Sequence, residues 1–111
     1  MIDEPTSEAL SALPAMYSTD RLPPLAKPIH MRFHLPDSDW FIAEYDPTER
    51  ICFGYAIINR DLIRAAWRYI RFSELKELKF HEDEVRRDLD WTVLKAGEVN
   101  VIRHAHALQK D

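Results

Sequence analysis

The chain has 111 residues and a formal charge of −4, a length that suits one domain and leaves no room for two. Apolar residues make up 46% of it and charged residues 31%, which is typical of globular proteins and excludes wholesale disorder. The apolar runs are too short for a membrane-spanning helix, and the acidic start lacks the apolar core of a signal peptide. Cys52 is the only cysteine, which excludes an intrachain disulfide and predicts a reducing, cytoplasmic location.

The first 28 residues differ in composition from the rest of the chain. They hold five of the seven prolines and show no sustained apolar period. We therefore predict that residues 1–28 form an extended or poorly ordered arm and that residues 29–111 form a single domain. A domain of that size has a thin core, which favours self-association or a partner.

Three strands are predicted after this arm. Apolar residues alternate with polar ones over residues 31–35, and residues 40–45 and 50–58 form an antiparallel hairpin around a Pro-containing turn. The third strand is apolar on both faces, which predicts a position inside the sheet. Gly54 lies in the middle of it and marks either a bulge or a close approach by another group, which we expect to be an aromatic ring rather than a ligand.

The remaining elements are less uniform. Residues 60–72 fit either an amphipathic helix or an irregular connection followed by a strand at residues 67–72. Ser73 is a suitable N-cap for a short helix, residues 89–94 alternate like a last strand, and residues 101–108 show helical spacing. The predicted fold is α+β, with a small, mostly antiparallel sheet of four to five strands, one or two short helices and the N-terminal arm.

Several motifs resemble a bacterial family known as domain of unknown function 2958. The resemblance rests on residues 33–40 (FHLPDSDW), 44–47 (EYDP) and 53–54 (FG), followed by 69–75 (YIRFSEL) and 85–88 (VRRD). It covers residues 31–91 and includes the motif residues Asp39, Trp40, Glu44, Tyr45, Asp46, Gly54 and Asp88. Ala43 replaces the family's usual threonine, and residues 59–66 are longer and more basic than its connection.

This resemblance implies a genetic context and does not imply a chemical activity. Members of the family are similar to genes of plasmids and other mobile elements, and the family has no established molecular function. The family pattern also favours a strand at residues 69–72 and a helix after Ser73.

The candidate binding residues are arginines interleaved with aromatic side chains, namely Arg60, Arg64, Trp67, Arg68, Tyr69 and Arg71. Arginine and aromatic residues are enriched at protein interfaces. The same residue types bind single-stranded nucleic acid by stacking and phosphate contact. A third interpretation is a set of surface ion pairs with Asp61, Glu74 and Glu77, each of which contributes little to stability.

The acids of the motifs suit structural roles better than catalysis. Asp39 and Asp46 lie about 23 Å apart on one extended strand, so they do not form a catalytic pair unless the strand bends sharply. Asp46 is expected to cap its turn rather than bind a cation with Glu49. Glu44 is expected on the face of Trp40 and Ile42, paired with an arginine such as Arg86 or Arg87 rather than acting as a general base.

No cofactor or metal is predicted. The residues His104 and His106 would share one face of a strand, as zinc ligands can, but no third ligand follows at a suitable spacing. Nucleophile elbows, phosphate-binding loops and zincin motifs do not occur in the sequence.

The leading hypothesis is a non-enzymatic protein-binding module of a mobile-element type that acts by binding a host or plasmid protein. A nucleic-acid-binding module that uses the arginine and aromatic residues is the first alternative. A metal-dependent enzyme built on Asp39, Glu44 and Asp46 is the second.

Overall fold

The computed structural model describes residues 1–110 of the chain. The helices are α1 (Ser7–Ser11), α2 (Phe72–Glu77) and α3 (Asn100–Gln109). The strands are β1 (Pro28–Ile29), β2 (Met31–Leu35), β3 (Ser38–Asp46), β4 (Ile51–Ile57), β5 (Ala66–Arg71), β6 (Lys79–Phe80), β7 (Asp83–Glu84), β8 (Arg86–Arg87) and β9 (Leu94–Lys95). Within residues 1–110, no helix has the length and apolar character needed to cross a bilayer.

A five-stranded antiparallel sheet organises the molecule, with the strand order β5-β4-β3-β2-β8. Two small two-stranded sheets, β1-β9 and β6-β7, lie beside it. The predicted α+β fold is confirmed. The alternation of β2 is also confirmed, because Met31, Phe33 and Leu35 are buried while the residues between them are half-buried.

Apolar residues cover both faces of the sheet. The face that packs against helix α2 is called the α2 face, and its buried residues include Phe33, Trp40, Ile42, Tyr45, Cys52, Phe72 and Leu75. The opposite face packs against helix α3 and is called the α3 face, with Ile29, Phe41, Tyr55, Ile57, Ala96 and Ile102 among its buried residues. The core is therefore two thin layers, one on each side of the sheet.

A bulge in β3 changes which face its later residues occupy. Ile42 lies opposite Gly54, whereas Glu44 lies opposite Phe53, so the extra residue Ala43 shifts the register. Because side chains alternate between faces, this shift moves Glu44 to the α3 face. The prediction that Glu44 shares the face of Trp40 is therefore wrong.

Gly54 is explained by the same bulge. A β-carbon at this position would overlap the carbonyl oxygen of Phe41. The group that approaches Gly54 is thus the backbone of the neighbouring strand, and the expected aromatic ring is not the cause. A glycine allows β3 and β4 to approach this closely.

Residues 1–28 are packed against the sheet. Leu10 of helix α1 and Leu13 lie within the core of the α2 face, with exposed fractions of 2% and 8%. Ile2 forms a parallel bridge with Arg86, and Ala15 forms one with Tyr45. Helix α1 and a series of turns make up most of the segment, and it contributes to the core instead of lying apart from the domain.

The region of residues 58–72 contains a loop and then strand β5, so the strand interpretation of residues 67–72 is correct. Helix α2 begins at Phe72 with Arg71 as its N-cap and with no side-chain hydrogen bond at the cap. The prediction that Ser73 caps this helix is therefore wrong. Of the strand predicted at residues 89–94, only Leu94 pairs, opposite Ile29. The predicted C-terminal helix is confirmed as α3.

Candidate functional site

Strand β5 is an edge of the main sheet. It pairs with β4 alone, and no other backbone hydrogen bond among residues 1–110 reaches Ala66–Arg71. The amide of Phe72 donates to the carbonyl of Arg50 at 3.0 Å, which adds a hydrogen-bonded pair to this ladder. Hydrogen-bonded pairs alternate with non-hydrogen-bonded pairs in an antiparallel ladder. The backbone N–H and C=O groups of every second residue, counted back from Phe72, therefore point towards β4. The residues whose backbone groups point away from the sheet are Trp67, Tyr69 and Arg71.

The candidate residues of β5 are divided between the two faces. Trp67 lies opposite Tyr55 and packs with the α3 face, and Tyr69 and Arg71 follow it on that side. Arg68 lies opposite Gly54 on the α2 face, next to Ile70. The sequence grouped these residues correctly along the chain, but the sheet separates Arg68 from the aromatic side chains.

Aromatic rings form a row across β4 and β5 on the α3 face. Phe53 stacks on Trp67 at 5.4 Å between centroids with an interplanar angle of 14°, and it lies 5.0 Å from Tyr69. The residue Tyr69 is 60% exposed, and Tyr17 beside it is 63% exposed. The row is thus half-buried at Trp67 and open to solvent at Tyr69.

The arginines of the site differ in how they are held. Arg64 donates to Asp61 at 2.8 Å, and this hydrogen bond is the main cause that lowers the pKa of the Asp61 carboxyl. Arg71 lies 3.9 Å from Glu74. Arg68 reaches only the carbonyl of Arg64, at 3.4 Å, and forms no ion pair with any residue that the structure describes.

Arg60 does not belong with the other candidate residues. Its guanidinium donates to the carbonyl of Pro36 at 3.1 Å, and its amide donates to the carbonyl of Asp37 at 2.8 Å. Arg60 therefore holds the loop between β4 and β5 against the β2–β3 turn. This is a structural contact, away from the free edge of β5.

Glu44 is the centre of a buried polar network. Its carboxylate accepts hydrogen bonds from the amides of Tyr17 and Thr19 at 2.9 and 3.2 Å and from the Thr19 hydroxyl. Lys27 Nζ lies 3.9 Å from the carboxylate and donates to the Thr19 carbonyl at 2.6 Å. Glu44 is paired as expected, but with Lys27 and backbone amides and not with Arg86–Arg87. The network fixes residues 17–27 on the sheet.

Two other motif acids converge on Arg32, which the sequence did not single out. The guanidinium donates to Asp39 at 2.6 and 2.9 Å and to Asp88 at 3.0 Å. Arg32 thus joins β3 to the segment after β8 through one side chain. Because all three groups are partly buried, this cluster stabilises the sheet edge more than an exposed pair would.

Asp46 caps the β3–β4 turn, as predicted, because its carboxylate accepts from the amides of Thr48 and Glu49 at 2.9 and 3.2 Å. Asp39, Glu44 and Asp46 are therefore engaged at three separate places. Across residues 1–110, no three or more His, Cys, Asp or Glu side chains come together in a way that could hold a metal ion.

The histidine pair does not share a face. His104 and His106 lie on helix α3 and not on a strand, and two residues correspond to about 200° around a helix. Both side chains are exposed. The arrangement considered for zinc, with both imidazoles on one face of a strand, therefore does not occur.

Comparison with known proteins found no match to this chain among protein-family models, curated proteins or solved structures. The resemblance to domain of unknown function 2958 therefore stays a prediction carried by the motif residues. Trp40 and Tyr45 of those motifs are buried on the α2 face.

Proposed function

We propose that this protein is a non-enzymatic binding module that accepts an extended segment of a protein partner along the free edge of β5. The supporting observation is the outward row of backbone N–H and C=O groups at Trp67, Tyr69 and Arg71. Extended peptides add to such edges through main-chain hydrogen bonds, and neighbouring side chains select the sequence.

The edge has little of the protection that soluble proteins usually give to edge strands. Such strands are commonly very short, interrupted by proline or covered by a loop. Strand β5 has six residues, contains no proline, and presents the exposed ring of Tyr69. Its only protective feature is charge, at Arg68 and Arg71.

The resemblance of the motifs to a family associated with mobile elements supports a host or plasmid protein as the partner. The separate engagement of Asp39, Glu44 and Asp46 favours binding over metal-dependent catalysis.

The test uses two substitutions of one residue. Tyr69→Pro and Tyr69→Ala both remove the exposed ring, but only proline removes an outward N–H, and an edge strand tolerates it. Each variant is used to capture partners from nuclease-treated bacterial lysate, after circular dichroism has shown that it is folded. A partner retained by Tyr69→Ala and lost by Tyr69→Pro supports strand addition. Equal capture by the two variants contradicts it.

A second candidate function is single-stranded nucleic acid binding, favoured by the aromatic row. Exposed rings on a sheet surface with nearby arginines are the usual platform for stacked bases. The measurement is fluorescence anisotropy of a labelled single-stranded oligonucleotide over a range of salt concentrations. Binding that weakens steeply with salt and is lost in Tyr69→Ala would support this function. Absence of binding at low salt would remove it.

A further inference from the structure

We propose that the segment bound along β5 is an acidic strand that runs antiparallel to it. From its N-terminus, this strand has an acidic residue, then any residue, an apolar residue, a second acidic residue and a second apolar residue. The five positions lie opposite Arg71, Ile70, Tyr69, Arg68 and Trp67 in that order. This inference rests on the proposed function, and it adds the chemical class and direction of the partner segment.

The charge of the edge selects the acidic positions. Although the chain carries a net charge of −4, Arg68 has no carboxylate partner among residues 1–110, and Arg71 has only the contact with Glu74 at 3.9 Å. Side chains directly opposite on one face of a sheet interact, and opposite charges there are favourable. A carboxylate opposite Arg68 would lie on the α2 face, and one opposite Arg71 would lie on the α3 face.

The surroundings of Tyr69 and Trp67 select the apolar positions. Desolvation, followed by interactions with Tyr17, Asp20 and Glu44, raises the pKa of the Tyr69 hydroxyl. A carboxylate opposite Tyr69 would meet the negative charges of Asp20 and Glu44, whereas an apolar side chain would extend the aromatic row. Trp67 is half-buried among apolar residues and favours the same choice.

The direction follows from the sheet. Every neighbouring pair of its strands is antiparallel, and antiparallel pairs are slightly more stable per residue than parallel ones. A segment that ran parallel to β5 would need the same residues in reverse order to place them opposite the same residues of β5. Direction can therefore be tested with two peptides of identical composition.

A second copy of the chain fits this edge poorly. Two β5 strands paired about a two-fold axis centred on Arg68 would place the two Arg68 side chains directly opposite each other. An axis centred on Tyr69 would still make them diagonal neighbours, at about 7–8 Å, with no carboxylate between them. The charge pattern thus disfavours self-pairing and favours an acidic partner.

The test uses fluorescein-labelled peptides with blocked ends that contain Glu-Thr-Val-Glu-Val or the reverse order, Val-Glu-Val-Thr-Glu. Affinity is measured by anisotropy, and amide exchange is measured by NMR on the isotope-labelled protein. We expect the first peptide to bind about fivefold to tenfold tighter than the reverse and to slow exchange at Trp67, Tyr69 and Arg71. Equal affinity for the two peptides, or unchanged exchange at these three amides, would overturn the proposal.

Charge exchange at Arg68 gives the second measurement. In Arg68→Glu, the preference should turn to a peptide whose second glutamate is replaced by lysine. Arg60→Glu makes the same change of charge away from the edge and should keep the wild-type preference. A peptide preference that does not change in Arg68→Glu, or a dimer of the free protein that the peptide dissociates, contradicts the acidic pattern.

The two proposals fail in different ways. If the lysate partner is lost in Tyr69→Pro while the peptides show no selectivity, the pattern is wrong and strand addition stands. If Tyr69→Pro and Tyr69→Ala capture the partner equally, strand addition itself is wrong.

Discussion

The carbonyl oxygen of Phe41 lies against Gly54 and occupies the space that a β-carbon of residue 54 would need. The contact exists because the bulge at Ala43 brings the backbones of β3 and β4 together at this point. The same bulge turns Glu44 towards Lys27. A glycine on one strand and a buried charge on the next are therefore two consequences of one extra residue.

The first prediction concerns this contact. Gly54→Ala should lower the free energy of unfolding by about 2–4 kcal/mol, because the added methyl group meets backbone that cannot move without disturbing the ladder. Gly97→Ala is the matched control, since its β-carbon would lie 3.1 Å from the Leu25 carbonyl and 3.3 Å from the Leu25 side chain. Urea unfolding of both variants provides the measurement. A loss in Gly54→Ala no larger than in Gly97→Ala would contradict the account.

The second prediction concerns the buried ion pair. Glu44→Ala removes the carboxylate that faces the buried Lys27 ammonium and leaves the amides of Tyr17 and Thr19 without an acceptor, so the free energy of unfolding should fall by about 3–5 kcal/mol. Glu49→Ala, at an exposed position of the β3–β4 turn, should change it by less than about 0.5 kcal/mol.

A double-mutant cycle separates the pair from its surroundings. Glu44→Gln and Lys27→Met together should cost less than the sum of the two single changes, because the double variant leaves no lone buried charge. Additive costs would show that the two charges do not interact.

Much of the fold could be predicted because it is encoded locally. The two-residue alternation of β2 and the Asp-Pro turn after β3 depend on neighbouring residues alone, and both were found. Gly54 indicated a bulge or a close approach, but its location at Ala43 was missed because alternation does not show an inserted residue until the partner strand is known. Lys27 was missed as the partner of Glu44 because residues 1–28 have no periodic pattern that reveals which of them are buried.

The candidate site shows the same limit. The sequence grouped Trp67, Arg68 and Tyr69, but only the strand order reveals that they lie on an edge. Arg32 could have been found from the sequence. It lies on the polar side of β2, and the tight turn at Pro36 places Asp39 diagonally across the hairpin on that side.

The third prediction concerns Cys52. Burial raises the pKa of its thiol to about 12, so almost no reactive thiolate exists at neutral pH. The folded protein should resist a thiol-specific reagent at pH 8, and one thiol per chain should react in denaturant. Labelling followed over urea concentration should track the unfolding transition. Rapid labelling of the folded protein would show that Cys52 is accessible.

The fourth prediction concerns pH. Burial lowers the pKa of His30 and of His34 below the usual 6.5, and Arg32 strengthens the effect at His34. The unfolded chain therefore binds protons on these histidines before the folded chain does. Stability should be fully present above pH 6.5 and should fall as the pH drops towards the folded pKa values, since protonation favours the unfolded state.

Urea unfolding between pH 7.5 and pH 5 measures this slope. His34→Gln removes one of the two groups and should make the fall with decreasing pH shallower. His104→Gln changes an exposed histidine on helix α3 and should keep the wild-type slope. A slope that responds equally to both substitutions would mean that burial at His34 is not the cause. A stability that increases towards pH 5 would reverse the sign and imply that the acids near His34, Asp39 and Asp88, outweigh burial.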